Sequence, residues 1–145
     1  MSKEIMSKKP NQTPECYVYL LSKAYQKGHS LVQKRLRKYG LTNIQYVVLE
    51  LLWDSEGLTA SETGRLLSID KATLSGIIDR MVDSQWLIKK QDETDRRVSR
   101  LYPSEKSKQH KELLIEERIK ANEQLLSDFT MEERILLRRL LLAFL

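Results

Sequence analysis

Asp95-Arg96-Arg97 is the run of residues in this chain whose types and spacing most directly suggest chemistry. An aspartate two positions before an arginine can accept a charge-assisted hydrogen bond from it, so the guanidinium is oriented before any partner arrives. A slim cation at a hairpin tip suits the minor groove of A·T-rich duplex DNA, which is narrow and strongly negative. A further cation, Arg80, falls on a helix face shared with Ala72, Thr73, Ser75, Gly76, Asp79 and Asp83. Short, hydroxyl-bearing side chains let such a face lie close to a major groove, where Arg80 can reach a guanine edge or a phosphate. Thr59 and Lys71, at the starts of two successive helices, complete the candidate contact set.

Nothing comparable supports catalysis. His29 and His110 are far apart and lie in no metal-ligand spacing. The single cysteine, Cys16, excludes an internal disulfide framework and a cysteine-rich zinc site. There is no phosphate-cradling glycine loop and no nucleophile elbow. No enzyme activity, metal or cofactor is expected.

The elements that must position these residues can be read from caps and periodicity. Thr59 with Glu62 forms a capping box that opens one helix, and Asp70 caps a second that begins at Lys71. In the second helix Leu74, Ile77, Ile78 and Met81 make a single apolar stripe opposite the candidate contact face. Residues 86–90 and 98–102 are strand-like runs around the charged tip 91–97. Helix, helix and hairpin together make a winged helix-turn-helix.

Three strings, LTASETGRLL, IDKATLSGIIDRMV and DETDRRVSRLYPSEK, resemble the MarR (multiple antibiotic resistance regulator) family. With Leu41-Thr42-Asn43-Ile44-Gln45-Tyr46 they cover roughly residues 41 to 107. The resemblance implies an obligate homodimer on a pseudo-palindromic double-stranded DNA operator. It also implies repression, with release by a small aromatic or phenolic effector in many members. In the family's wing the second arginine, here Arg97, enters the minor groove and the aspartate, here Asp95, holds it. The chain departs from the family pattern at Thr63 (usually apolar), Gln85 (usually glycine), Pro103 (usually leucine) and Ser107 (usually glycine). Loss of the glycine at 85 removes the usual left-handed helix cap and makes the helix–wing junction the point to check.

The expected fold is mainly α with a small β-hairpin wing. One domain, 1–145, carries a winged helix-turn-helix over 41–103 between dimerisation helices at 15–40 and 105–145. The first long helix places Val18, Leu21, Tyr25, Val32, Leu36 and Tyr39 on one side and ends at Gly40. Thr42 and Gln45 box the start of a nearly all-apolar central helix. Pro103-Ser104 begins the next long helix, to about Ser127, and Thr130 with Glu133 opens a last one that runs to Leu145. Of the 15 residues from Met131 to Leu145, 10 are apolar, more than one buried side can use, so a two-fold partner is expected there.

Charge sharpens the argument. The net +5 favours an anionic partner, but it is unevenly placed. Residues 1–58 carry 9 Lys+Arg against 5 Asp+Glu, residues 59–103 carry 8 against 7, and 104–145 carry 8 against 8. The reading half is thus almost neutral, and DNA contact must rest on where Arg80, Arg96 and Arg97 sit. Residues 1 to about 14 read as a loose polar arm with Lys3, Lys8 and Lys9, a frayed terminus before a phosphate contact. The start has no apolar signal core and no run is long enough to span a membrane, so a cytoplasmic location is expected.

Two further sets follow from the resemblance. Tyr25, His29, Tyr39, Tyr46 and Trp53 are candidates for an effector pocket, since family members bind aromatic acids where the long helices meet the winged half; the plainer reading of each is core packing or interface. Some members also sense peroxides through a lone cysteine near the start of the first helix. A gap-free count from Leu41-Thr42 puts that position at Val18, two residues after Cys16, so Cys16 is expected to be inert. The alternative function is a winged helix turned into a protein-interaction module, which would need neither Arg97 at the tip nor a close-approach helix face.

Overall fold

Short-range caps fix where every α-helix after the first begins among the described residues. The computed structural model describes residues 14–145 and contains α1 (Tyr17–Leu36), α2 (Asn43–Asp54), α3 (Ala60–Leu67), α4 (Lys71–Asp83), α5 (Glu105–Leu125) and α6 (Met131–Leu142). Full capping boxes open α2 (Thr42, Gln45), α3 (Thr59, Glu62) and α6 (Thr130, Glu133). Asp70 accepts from the Thr73 N–H at the start of α4, and Ser104 accepts from the Ser107 N–H at the start of α5. Each such cap contributes about 1 kcal/mol.

The helix expected over 15–40 divides in two. Its α-helical part stops at Leu36, and one 3-10 turn, Arg37–Tyr39, leads to Gly40 at φ 68°. Tightening the last turn before a left-handed glycine satisfies carbonyls that a straight continuation would leave open. At the other end of the chain α5 ends at Leu125 and α6 at Leu142, both short of the expected 127 and 145. The expected polar arm with Lys3, Lys8 and Lys9 lies outside the described residues.

A three-stranded antiparallel sheet of order β1-β3-β2 forms from β1 (Leu58–Thr59), β2 (Leu87–Gln91) and β3 (Ser99–Pro103). The wing strands start one residue later than the sequence suggests, and the reason lies at the end of α4. The Trp86 N–H donates back to the Met81 carbonyl at 2.8 Å and the Gln85 N–H to Val82 at 3.0 Å, a paired helix stop. Gln85 itself adopts φ 64°, the left-handed conformation, without being glycine. Trp86 therefore belongs to the helix cap, and the ladder begins with Leu87 opposite Pro103. Ser104 locks this junction, its hydroxyl donating to the Gln85 carbonyl at 2.6 Å. Strand β1 was not expected; two residues carry no periodic signal, and pairing with Leu101 and Arg100 defines it.

The core sits under the winged half. The α4 stripe of Leu74, Ile77, Ile78 and Met81 is buried with Leu49 and Leu52 of α2, and with Trp86, Leu87, Leu101 and Leu114. Truncating one of these to alanine removes about 2–5 kcal/mol. Two departures from the family pattern are accommodated by hydrogen bonds: the buried Thr63 hydroxyl donates to the Thr59 carbonyl at 2.9 Å, and the buried Ser107 hydroxyl accepts from the Trp53 indole at 3.2 Å.

The flanking helices are different. Val18, Leu21 and Tyr25 lie on the apolar stripe of α1 yet are exposed, while the same stripe is buried further along at Leu36. No residue of α6 is buried. Polar ties anchor it: Arg134 pairs with Glu123 at 2.9 Å and donates to the Leu126 carbonyl at 2.8 Å. Among the described residues no helix is long and apolar enough to cross a membrane.

Candidate nucleic-acid interface

The wing tip is built from its own side chains. Asp95 accepts from Arg97 three times: from the backbone N–H at 3.0 Å, from Nε at 3.1 Å and from Nη2 at 3.3 Å. The Arg97 guanidinium, first, and its backbone N–H hold the Asp95 carboxyl below its ordinary value. The Arg97 side chain is nonetheless 89% exposed, an oriented cation with its outer edge free. Arg96 is exposed beside it.

The aspartate at the base of the tip does more than sequence reading credited. Asp92 accepts from the Thr94 hydroxyl at 2.6 Å, from the Asp95 N–H at 3.0 Å and from Arg100 Nε at 2.5 Å. Arg100 also donates to the Gly57 carbonyl at 2.8 Å. The Thr94 hydroxyl and then the Arg100 guanidinium hold the Asp92 carboxyl far below the usual carboxylate range. Asp-x-Thr at positions 92–94 is a local turn signature that could have identified Asp92. No comparable signal marks Arg100, whose second partner is 43 residues away.

The outer face of α4 carries the other candidates. Lys71, Ala72, Thr73, Ser75 and Arg80 are all exposed, and Gly76 is half-buried. Two hydroxyls are already engaged: Thr73 donates to Asp70 at 2.6 Å, and Thr59 accepts from the Glu62 N–H at the start of α3. A methyl group at Gly76 would meet only the Arg80 guanidinium, at an ordinary 3.6 Å. Nothing inside the fold requires glycine there, although glycine within a helix costs about 0.5–1 kcal/mol against alanine. Gly64 contrasts with it, since a methyl there would press on the Ile69 carbonyl at 3.0 Å.

The five pocket candidates separate into three contacts. Tyr25 and His29 pack ring to ring on α1 at 5.4 Å. Tyr39 meets His110, which also meets Trp86. Tyr46, 1% exposed, packs edge-on to Trp53 at 6.1 Å, and its hydroxyl accepts from Arg118. Within one chain Tyr46 is thus a core residue with its polar atom satisfied. Cys16 is exposed, immediately before α1. Among the described residues no group of histidine, cysteine or carboxylate side chains could hold a metal ion.

Two capped helices joined through a left-handed Ser68, followed by a hairpin whose tip presents a held arginine, make a winged helix-turn-helix. Residues 41–99 match the model of the MarR family, and over that stretch the chain is similar to its members. It is similar to the HTH-type transcriptional regulator MhqR of Bacillus subtilis, 29% identical over 80 residues, which are 55% of either protein. It spans 55–63% of the length of three curated relatives. A MarR transcriptional regulator from Methanosarcina mazei Go1 superposes with TM-score 0.77 at 26% identity, over 88% of this chain and 92% of that one. The fold is shared too by an E. coli MarR variant solved in complex with operator DNA, with TM-score 0.81, 22% identity and coverage of 88% and 92%.

Proposed function

We propose that this chain is a sequence-specific DNA-binding transcriptional regulator acting as a homodimer on a pseudo-palindromic operator. The observation that carries the reading is the Asp95–Arg97 pair: an arginine whose guanidinium and backbone N–H are both held by one carboxylate while its side chain is 89% exposed. Pre-orienting so exposed a cation prepares it for an external anion. The α4 face supports the same reading, with Ala72, Ser75 and Gly76 allowing close approach and Arg80 beside them. The apolar, uncovered α6 supports a second copy, which would bring two wings to two half-sites. Repression follows from the family likeness, as does release by a small aromatic or phenolic effector.

Affinity for duplex DNA selected from a random library should fall steeply as salt rises, because phosphate contacts release counterions. Sedimentation of the same sample should give two chains per duplex site. Salt-independent or absent binding would point instead to a winged helix serving protein partners.

A further inference from the structure

We propose that Asp92 and Arg100 form a latch that fixes the Arg97 tip relative to the helix-turn-helix, so that both are positioning residues for DNA engagement. The proposal rests on the DNA-binding reading of the wing. Its basis is an unbroken series of hydrogen bonds. The Gly57 carbonyl, in the turn between α2 and β1, accepts from Arg100 at 2.8 Å. The other edge of the same guanidinium donates to Asp92 at 2.5 Å. The second oxygen of Asp92 accepts from the Asp95 N–H at 3.0 Å, and the Asp95 carboxylate in turn holds Arg97.

A hairpin attached only through its two strands can swing about its base. Strand β1, which flanks it on one side, is only two residues long and gives little restraint. Arg100 supplies the missing brace, since its planar fork meets two acceptors at once on opposite sides of the hairpin base. One acceptor belongs to the tip and the other to the body that carries α3. A partly exposed ion pair of this kind adds little to overall stability. Its effect is on placement, and an arginine aimed at a narrow groove depends on placement.

The test uses fluorescence anisotropy with a duplex selected by the wild-type protein from a random library, and a second duplex with its outer A·T steps changed to G·C. Arg100→Ala should weaken binding to the first duplex about tenfold, a typical loss for one specific contact. It should also reduce the preference for A·T steps, as Arg97→Ala should. The double variant should bind no more weakly than Arg97→Ala alone. Arg100→Lys should fall between, because an ammonium on one stem cannot span both acceptors in the same geometry. Thermal melting should be nearly unchanged throughout. Should Arg100→Ala fail to fold, Asp92→Asn makes the same test, since its amide oxygen keeps the turn while the charge is lost. Wild-type affinity in Arg100→Ala, or losses that multiply in the double variant, would overturn the latch. If Arg97→Ala binds like wild type, the DNA reading of the wing falls and takes the latch with it.

Discussion

The winged half and the flanking helices use apolar residues in opposite ways. In α4 the stripe Leu74, Ile77, Ile78 and Met81 is closed inside a single chain. In α6 Ile135, Leu136, Leu140 and Leu141 stay exposed, and the first half of α1 leaves Val18 and Tyr25 in the same state. The contrast follows from what each half must cover. The core in the winged half is enclosed by α2, α4 and the sheet together with Leu36 of α1 and Leu114 of α5, whereas the terminal helix, apolar on several sides, has no buried residue. The winged half thus closes its core within the chain, and the exposed flanks are where the proposed second copy would sit.

Removing the flank is the strongest way to break that contrast. Truncation after Phe129 should take away the apolar face of α6 and the groove it forms with Leu21 and Leu125. Aggregate or unfolded chain is expected by light scattering; a soluble, folded monomer would end the dimer proposal.

A change at the wing tip should do the reverse, sparing the fold and harming binding. Arg97→Ala should cost about 1–3 kcal/mol of DNA affinity with melting unchanged. Asp95→Ala should also weaken binding through lost orientation, although it removes a negative charge near DNA. Tighter binding by Asp95→Ala would show the carboxylate to be mere repulsion.

Gly76→Ala sharpens the comparison with opposite signs. Stability should rise by about 0.5–1 kcal/mol, because a methyl there meets only the Arg80 side chain. DNA affinity should fall, because the same methyl stands on the approach face; unchanged affinity in a titration would remove Gly76 from the contact set. Smallest of all, Gln85→Gly should raise stability by about 0.5 kcal/mol, the relief of φ 64° being partly offset by a freer unfolded chain. A lower melting temperature would mean that the Gln85 side chain contributes more than its backbone conformation costs.

What the sequence made legible was whatever lies within four residues. The boxes at Thr42, Thr59 and Thr130 span three positions, the α4 stripe recurs at helical spacing, and Asp95 reaches Arg97 across two. The features that escaped depend on distant partners. Strand β1 exists only because β3 lies beside it, and Arg100 gains its meaning from Gly57. The one-residue shift of the wing strands has the same origin, since the N–H of Trp86 closes α4. The five aromatic and histidine candidates carry helix periodicity, which gives the face of each helix and not which faces converge.

The two tryptophans happen to mark two different seams. Trp86 is buried where α4 hands over to the wing, with the Lys106 ammonium 4.3 Å from its ring centre. Trp53 lies between α2 and α5, its indole N–H bonded to Ser107. Each fluorophore therefore watches one joint. With Trp53→Phe, emission would follow the helix–wing joint alone, and with Trp86→Phe the seam between the winged half and its long helix. The chain thus carries one optical gauge at the helix–wing joint and another at the seam between α2 and α5.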